Sequence, residues 1–593
     1  MGKKQIKITL FQAIIIALVV IVLLAGVALY IIKTSKDEEK IIKNPITGKI
    51  DDWKYDYKES SKSGGTFGIS ADTTSMSKDS SVASSAQSTT SNIGFSTGGA
   101  KDINNFRENI EEGYFPISTD ITYNGLFYDY TFDTGNKTES EDLFSPSYSC
   151  AISNDPISNK QEYYMTVGLN SNIKESDFKR KKLNLVVVLD ISGSMSSGFS
   201  SYYYDNYLNN KETVEDENKT KMQIANESVN ILIDQLKEDD RFGMILFDNT
   251  SYIGKPISLV SETDMEAIKG HVLEIQPQGG TNFEAGYKEA TKLFEEYINE
   301  DANEYENRII VITDAMPNYG VTSKDGLLSY VEKNSNNGIY TTFIGVGVDF
   351  NTELIEKITD VKGANYYSVH SSSEFKERMG EQFEYMVTPL VFDLNLNLES
   401  EDYKIEMIYG SDTTNKENGN IMNVNTLFPS KTTNSGEVKG GVVLLKLSKI
   451  TDNQNGDIEL NVSYKDREGK EYSNKQTIEF NENKEFYDNT GIRKAIVLTR
   501  YVNTLKNWIL YERSEEERFL IMPQYGISDC IIPDEQIKTI LGENERTSVE
   551  LTVSDKYKEI FTKVKDYIAK ENEYIKDNTL KQELEILDKL IKE

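Results

Sequence analysis

Between residues 183 and 388 the hydrophobic positions alternate between two periods, which predicts strands and helices in turn. Short apolar runs typical of buried strands cover residues 183–189, 241–247, 308–313 and 340–346. Apolar residues three and four positions apart predict helices over residues 222–236, 283–298 and around 375–383. Repeated strand–helix alternation favours a Rossmann-like α/β domain, in which helices cover both faces of a parallel sheet.

The segments on either side of this domain show the period-two pattern of antiparallel strands. In the β-rich segment 104–182, residues 121–132 and 162–167 are aromatic and β-branched and predict strands. Residues 389–488 contain further alternating runs separated by Asn, Gly and Ser, which is typical of a β-sandwich-like domain. We hypothesise that the strands of both segments form one sandwich into which the α/β domain is inserted.

The two ends of the chain have different patterns again. Residues 489–593 carry helical apolar stripes and predict a C-terminal helical region. Residues 13–32 are almost purely apolar, and their length matches a bilayer core, so we expect a transmembrane signal anchor after a cytoplasmic tail of residues 1–12. Residues 33–103, rich in Ser and Thr, would form a flexible stalk. The expected localisation is a single-pass cell-membrane protein with its C-terminal bulk outside the cell.

Charge and composition exclude several functions. The net charge of −31 repels phosphate backbones, so no nucleic-acid partner is expected. With only two histidines, the chain has no H-E-x-x-H zinc-protease motif and is a poor match for a Ser-His-Asp hydrolase. Cys150 and Cys530 are the only cysteines, and they form either one disulfide or two free thiols.

Oxygen-bearing side chains follow the predicted strands of the α/β domain. Asp190, Ser192 and Ser194 lie in V-V-V-L-D-I-S-G-S-M, Thr281 lies in G-G-T-N before a helix, and Asp314 ends I-I-V-I-T-D. Loops at the carboxyl ends of parallel strands converge on one edge of the sheet. Two carboxylates and three hydroxyls suit Mg²⁺, Mn²⁺ or Ca²⁺ better than zinc or copper.

These three motifs resemble the von Willebrand factor type A (VWA) family and its metal-ion-dependent adhesion site (MIDAS). The resemblance covers roughly residues 183–388 and implies that these five side chains bind the cation, which then coordinates an acidic residue of a protein partner. The whole layout resembles membrane-anchored microbial VWA proteins, which share features with inter-α-trypsin-inhibitor heavy chains and so-called calcium-activated chloride channel homologues. The chain departs from the family pattern at Ala315, where many members have Gly, and in the long insertion 196–219.

Other interpretations of the same residues give different functions. A D-x-S-x-S segment by itself also marks turns and helix caps. A phosphotransfer enzyme with Asp190 as nucleophile would need a second Asp two positions later, where this chain has Ser192. No base or nucleophile is visible near the site, so we expect binding and not catalysis.

The insertion adds a candidate contact surface for the partner. Its tyrosines, Tyr202, Tyr203, Tyr204 and Tyr207, would either frame the partner or belong to a loop packed on its own domain. The function predicted from the sequence is cation-dependent protein binding at the cell surface, in adhesion or recognition. The alternative is a scaffold or regulatory subunit of a membrane or envelope complex.

Overall fold

The computed structural model describes most of the folded chain. It covers residues 42–56 (except 45–46), 92–97, 100–135 (except 102 and 117), 142–199, 219–298, 304–314, 324–347, 358, 361–369, 372–410, 420–480 (except 434–435 and 452–456), 486–513 and 550–593.

The strands of these residues are numbered in chain order. They are β1 (Ile42–Lys43), β2 (Ile50–Asp51), β3 (Asn92–Thr97), β4 (Ala100–Lys101), β5 (Thr131–Phe132), β6 (Ser147–Asn154), β7 (Gln161–Gly168), β8 (Asn170–Lys174), β9 (Lys182–Asp190), β10 (Arg241–Phe247), β11 (Ser251–Leu259), β12 (Tyr305–Thr313), β13 (Ile339–Val346), β14 (Asn365–Val369), β15 (Val391–Glu399), β16 (Tyr403–Tyr409), β17 (Asn420–Ser430), β18 (Val438–Lys439), β19 (Val442–Lys449), β20 (Asp457–Lys465), β21 (Glu471–Glu479) and β22 (Phe486–Tyr487).

The α-helices are numbered in the same way. They are α1 (Asn104–Glu111), α2 (Tyr123–Asp129), α3 (Lys221–Ile233), α4 (Met265–Leu273), α5 (Phe283–Leu293), α6 (Lys324–Asn336), α7 (Ser372–Met379), α8 (Phe383–Met386), α9 (Thr490–Arg513), α10 (Asp555–Ile575) and α11 (Lys581–Lys592).

A seven-stranded sheet organises the α/β domain, in the order β11-β10-β9-β12-β13-β14-β4. All its neighbouring strands are parallel except β11, which pairs antiparallel with β10 at one edge. On the central strand β9, Leu185, Val187 and Leu189 pack in one core with α3, α4, α7 and α8, whereas Val186 and Val188 pack in another with α5 and α6. The prediction of a parallel sheet with helices on both faces is therefore confirmed.

Two antiparallel sheets pack as a sandwich, and both combine strands from before and after the α/β domain. One has the order β21-β20-β15-β17-β3-β8, and the other has the order β16-β19-β7-β6-β22. Phe95 of β3 pairs with Pro429 of β17, and Met165 of β7 pairs with Leu445 of β19. The shared core contains residues of both origins, so the α/β domain is inserted in a single sandwich, as hypothesised.

A third core lies on the outer side of the five-stranded sheet. Leu444 of β19 faces it, while its neighbours Val443 and Leu445 face the interior of the sandwich, because successive strand residues point to opposite sides. Helices α9, α10 and α11 form most of this core together with α1 and α2. The predicted C-terminal helical region is thus a helical layer on the sandwich.

One predicted strand is a helix instead. Residues 121–132 were expected to be extended, but α2 occupies most of this stretch and only β5 follows it. The side chain of Thr122 caps α2 by accepting a hydrogen bond from the backbone N–H of Gly125 at 3.0 Å. Leu126 and Phe127 are then buried against the helical layer. Local capping and tertiary packing outweigh the β preference of the aromatic residues.

The predicted membrane localisation is also corrected. Among the described residues, none of the helices combines the length and the apolar character that a membrane span requires. Even α9, the longest of these helices, carries Arg493 and Arg500 and buries the latter in an ion pair with Glu162. Residues 13–32, where the sequence predicts the anchor, lie outside the described residues. Single-pass anchoring is contradicted by this finding and is not carried further.

Candidate metal centre

Asp190 is the last residue of β9 and is completely buried. It pairs with Phe247 of β10, so its side chain lies at the carboxyl edge of the parallel sheet. Its Oδ1 accepts a hydrogen bond from the backbone N–H of Ser192 at 2.8 Å, and its Oδ2 accepts one from the hydroxyl of Thr313 at 2.6 Å. These contacts fix the carboxylate at the edge where ligands bind to open α/β sheets.

The two serines connect Asp190 to the end of β12. A short 3₁₀ turn, Gly193–Ser196, follows the extended backbone of Ser192. The turn brings the Ser192 and Ser194 hydroxyl oxygens within 3.0 Å of each other, and the Ser194 hydroxyl donates to Oδ1 of Asp314 at 2.8 Å. Asp190, Ser192 and Ser194 are therefore joined to Asp314 in a single polar group.

The loop that carries Thr281 lies against the same turn. The backbone N–H of Gly193 donates to the carbonyl of Gly279 at 3.0 Å, and that of Gln278 donates to the carbonyl of Ile191 at 2.5 Å. Thr281 is buried, with 2% of its surface exposed. The structure thus brings together the three loops that carry all five residues predicted to bind metal.

Burial and a neighbouring like charge act together on Asp190. Burial, followed by the negative charge of Asp314, raises the pKa of Asp190 to about 7. Asp314 is itself buried and forms an ion pair with the ammonium of Lys221, with Oδ2 and Nζ 3.0 Å apart. Two adjacent buried carboxylates favour the binding of positive charge.

The donor set of these loops fits a hard divalent cation. Aspartate, serine and threonine supply only oxygen, which Mg²⁺, Mn²⁺ and Ca²⁺ prefer. Within the described residues no group of three or more His, Cys, Asp and Glu side chains could hold a metal ion, so the candidate centre depends on its hydroxyls. Such a centre would be held by Asp190, Ser192, Ser194, Thr281 and Asp314.

Sequence reasoning missed two neighbours of this centre. Thr313, which bonds to Asp190, precedes Asp314 in the T-D pair and could have been found from that position. Lys221, which bonds to Asp314, begins α3 beyond the long insertion and gives no sequence signal of its own. The predicted partner-contact residues Tyr202, Tyr203, Tyr204 and Tyr207 lie outside the described residues, as does Ala315.

Comparison with known proteins relates part of the α/β domain to a family. Residues 185–316 match the family model of the von Willebrand factor type A domain. Protein YfbK of Escherichia coli (strain K12) is 26% identical over 239 residues, which cover 39% of this chain and 36% of YfbK. Human inter-alpha-trypsin inhibitor heavy chain H2 is 21% identical over 218 residues, covering 36% of this chain and 21% of the heavy chain. The matched region therefore spans about a third of YfbK and about a fifth of the heavy chain.

Matches among solved structures cover more of the chain. A von Willebrand factor type A protein from Catenulispora acidiphila aligns with 63% of this chain and 83% of its own, at 14% identity and a TM-score of 0.37. The ArnB paralog VWA2 from Sulfolobus acidocaldarius aligns with 76% of this chain and 98% of its own, at 13% identity and a TM-score of 0.33.

Proposed function

We propose that this chain binds a protein partner through a divalent cation, because residues 185–316 match the von Willebrand factor type A family model and domains of this kind generally mediate protein–protein interaction or adhesion. The observation that carries the proposal is the polar group joining Asp190, Ser192, Ser194 and Asp314 at one sheet edge. The cation is Mg²⁺, or Mn²⁺ or Ca²⁺, and it would supply a coordination position for a carboxylate of the partner.

Binding, and not catalysis, follows from the chemistry of the donors. Serine and threonine are neutral ligands, so they leave much of the cation's charge uncompensated, and an acidic side chain of a partner can complete the coordination. Of the two histidines, His271 contacts Asp51 at 2.9 Å in another part of the domain, and His370 is outside the described residues. The groups that contact Asp190 and Asp314 are hydroxyls, a backbone N–H and a lysine already paired with a carboxylate, and none is arranged as a general base.

Titration of Mg²⁺ into the purified full-length chain by isothermal calorimetry tests the cation site. Asp190→Ala removes a charged ligand and is expected to lower Mg²⁺ affinity by about a hundredfold or more. Asp190→Asn keeps the shape of the side chain and should show the same loss. The matched control is Asp234→Ala, which removes a surface carboxylate paired with Lys269 in the same domain and should bind Mg²⁺ like the wild type.

Partner binding is then tested by capture on the immobilised chain with Mg²⁺ and with EDTA. Partners retained with Mg²⁺, and lost both with EDTA and with Asp190→Ala, would support the proposal. Equal capture under all three conditions, or Mg²⁺ binding that is unchanged by both Asp190 substitutions, would refute it.

A further inference from the structure

A buried lysine lies inside the candidate metal centre. Lys221 is the first residue of α3, and its side chain is fully buried. Its Nζ lies 3.0 Å from Oδ2 of Asp314, while the other oxygen of that carboxylate accepts the hydroxyl of Ser194. The two oxygens of Asp314 are thus divided between a fixed positive charge and the predicted metal ligands.

The path of this side chain is built into the fold. A capping box between Thr220 and Gln223 fixes the start of α3, and the backbone N–H of Lys221 donates to the carbonyl of Ser197 at 3.0 Å. The aliphatic part of Lys221 runs past Gly347, where an added Cβ would come within 2.7 Å of its Cε. Gly347 also has a φ of +81°, so both its backbone and the lysine favour glycine there.

The charges of the centre change with each ligand that binds. Two aspartates and one lysine leave one net negative charge, a divalent cation changes it to one net positive charge, and a partner carboxylate then brings it to neutrality. With a neutral residue at position 221, the cation alone would neutralise the site, and a partner carboxylate would add an unbalanced negative charge. In a buried site, where charges are weakly screened, this difference is large.

We propose that Lys221 is a positioning and specificity-determining residue, which holds Asp314 and keeps the cation-loaded site positive so that it selects an acidic partner. The lysine weakens cation binding, because it repels the cation, and strengthens the binding of a carboxylate. The inference rests on the proposed function and adds to it the charge that the partner must carry.

Opposite effects on two ligands test this role. In the full-length chain, Lys221→Met is expected to raise Mg²⁺ affinity by roughly tenfold or more, because removing one charge about 6 Å from a divalent cation changes affinity by about tenfold even with the screening of bulk water, and a buried site screens less. At saturating Mg²⁺, the same change should lower the affinity for glutarate, a simple dicarboxylate probe, by roughly tenfold, while uncharged glutaramide should bind neither protein. Both affinities are measured by calorimetry. A loss of structure would lower the affinity for both Mg²⁺ and glutarate, so it cannot raise one affinity while lowering the other.

Three further variants separate charge from shape. Lys221→Gln keeps a hydrogen-bond donor for Asp314 without the charge and should behave like Lys221→Met, so it carries the test if the methionine variant does not fold. Lys221→Arg keeps the charge and should stay near the wild type. Lys219→Met is the matched control. It removes a partly exposed lysine that lies two positions before Lys221 and is paired with Glu227, and it should change neither affinity.

The possible failures are distinguishable. A wild-type chain that binds no Mg²⁺ would overturn the proposed function and this inference with it. A wild-type chain that binds Mg²⁺ with an affinity that Lys221→Met and Lys221→Gln leave unchanged or lower would overturn the inference alone. The Mg²⁺ measurement decides this even where glutarate binds too weakly to be measured.

Discussion

The buried charges of the α/β domain are costly to the fold and are compensated in different ways. Asp190 and Asp314 lie close together, with no exposure beyond 1%, and only Lys221 offsets their charge in the described structure. Burying like charges without full compensation destabilises a fold. The natural reason to keep such an arrangement is a ligand that carries positive charge, which is why this edge of the sheet is the functional candidate.

A second buried lysine, Lys255 of β11, is compensated by a carboxylate of the chain itself. Its Nζ lies 3.1 Å from Oδ2 of Asp52 and donates to the carbonyl of Phe242 at 2.9 Å. Asp52 belongs to the N-terminal segment 42–56, which lies within the region of the predicted stalk and packs on the α/β domain. Burial lowers the pKa of Lys255 to about 8, and the neighbouring Asp52 only partly offsets this effect.

This shifted pKa predicts how stability changes with pH. The pKa of Lys255 is lower in the folded state than its ordinary value of 10.5, so the unfolded chain binds more protons between about pH 8 and 10.5. The contribution of Lys255 to the free energy of unfolding therefore rises with pH across this window, by an amount on the order of 3 kcal/mol. Lys255→Met should remove that rise, as measured by urea unfolding of the α/β domain at a series of pH values.

The control for this prediction is a lysine at the surface. Lys292→Met removes an exposed lysine paired with Glu289 and should keep the wild-type pH dependence. Parallel pH curves for the wild type and Lys255→Met would show that Lys255 does not titrate in this window.

At the scale of elements, the Thr281 loop depends on one glycine. Gly279 has a φ of +71°, which side-chain-bearing residues rarely adopt, and a Cβ there would lie 3.0 Å from the side chain of Asp248. Its carbonyl accepts the hydrogen bond from Gly193 that joins this loop to the serine turn. The position of Thr281 relative to Asp190 therefore follows from the backbone of Gly279.

Substitution of this glycine should affect the site more than the fold. We expect Gly279→Ala to cost about 1–2 kcal/mol of stability, because of its backbone conformation, and to lower Mg²⁺ affinity several-fold by displacing Thr281. Calorimetry with Mg²⁺ and thermal unfolding measure the two effects. Gly270→Ala, in α4 where nothing lies within 4 Å of an added Cβ, should leave Mg²⁺ affinity unchanged. An unchanged affinity in Gly279→Ala would show that Thr281 does not contribute to the site.

The elements that could be predicted from sequence are those in which local pattern and tertiary environment agree. Strand β9 is a continuous apolar run because both its faces are buried. Its end at Asp190 could therefore be predicted from the sequence, and so could the end of β12 before Asp314. Helix α2 could not be predicted as a helix, because its aromatic residues occur in strands as well as in helices. The Thr122 cap and the packing of α2 against the helical layer determine that it is a helix.

The same distinction applies to the candidate site. Ser192 and Ser194 follow Asp190 directly, and strand ends of one parallel sheet must meet, so these residues could be grouped without coordinates. Lys221 could not be grouped with them. Its proximity depends on where α3 begins after a long insertion and on the space left by Gly347, neither of which has a periodic pattern.

At the scale of the whole molecule, the inserted α/β domain is held by a sandwich that needs the segments on both sides of that domain. Phe95 of β3 and Leu445 of β19 are completely buried in one core, although the entire α/β domain separates them in sequence. The N-terminal segment adds a further long-range link, since the backbone N–H of Asp264 donates to the carbonyl of Ile50 at 2.8 Å. The alternating patterns led to the hypothesis of one sandwich, but they do not identify which strands pair across the inserted domain.

This architecture predicts which substitutions act together. Phe95→Ala and Leu445→Ala each leave a cavity in the shared core, at a cost of about 2–5 kcal/mol, so each should speed amide hydrogen exchange in the same sandwich strands, β6, β7, β15 and β17. Val187→Ala, at an equally buried position of β9, should instead speed exchange in β10 and β12. Exchange measured by mass spectrometry on the full-length chain compares the three variants. If Phe95→Ala left β6 and β7 protected while Leu445→Ala exposed them, the two residues would belong to independent folding units, and the single sandwich would have to be abandoned.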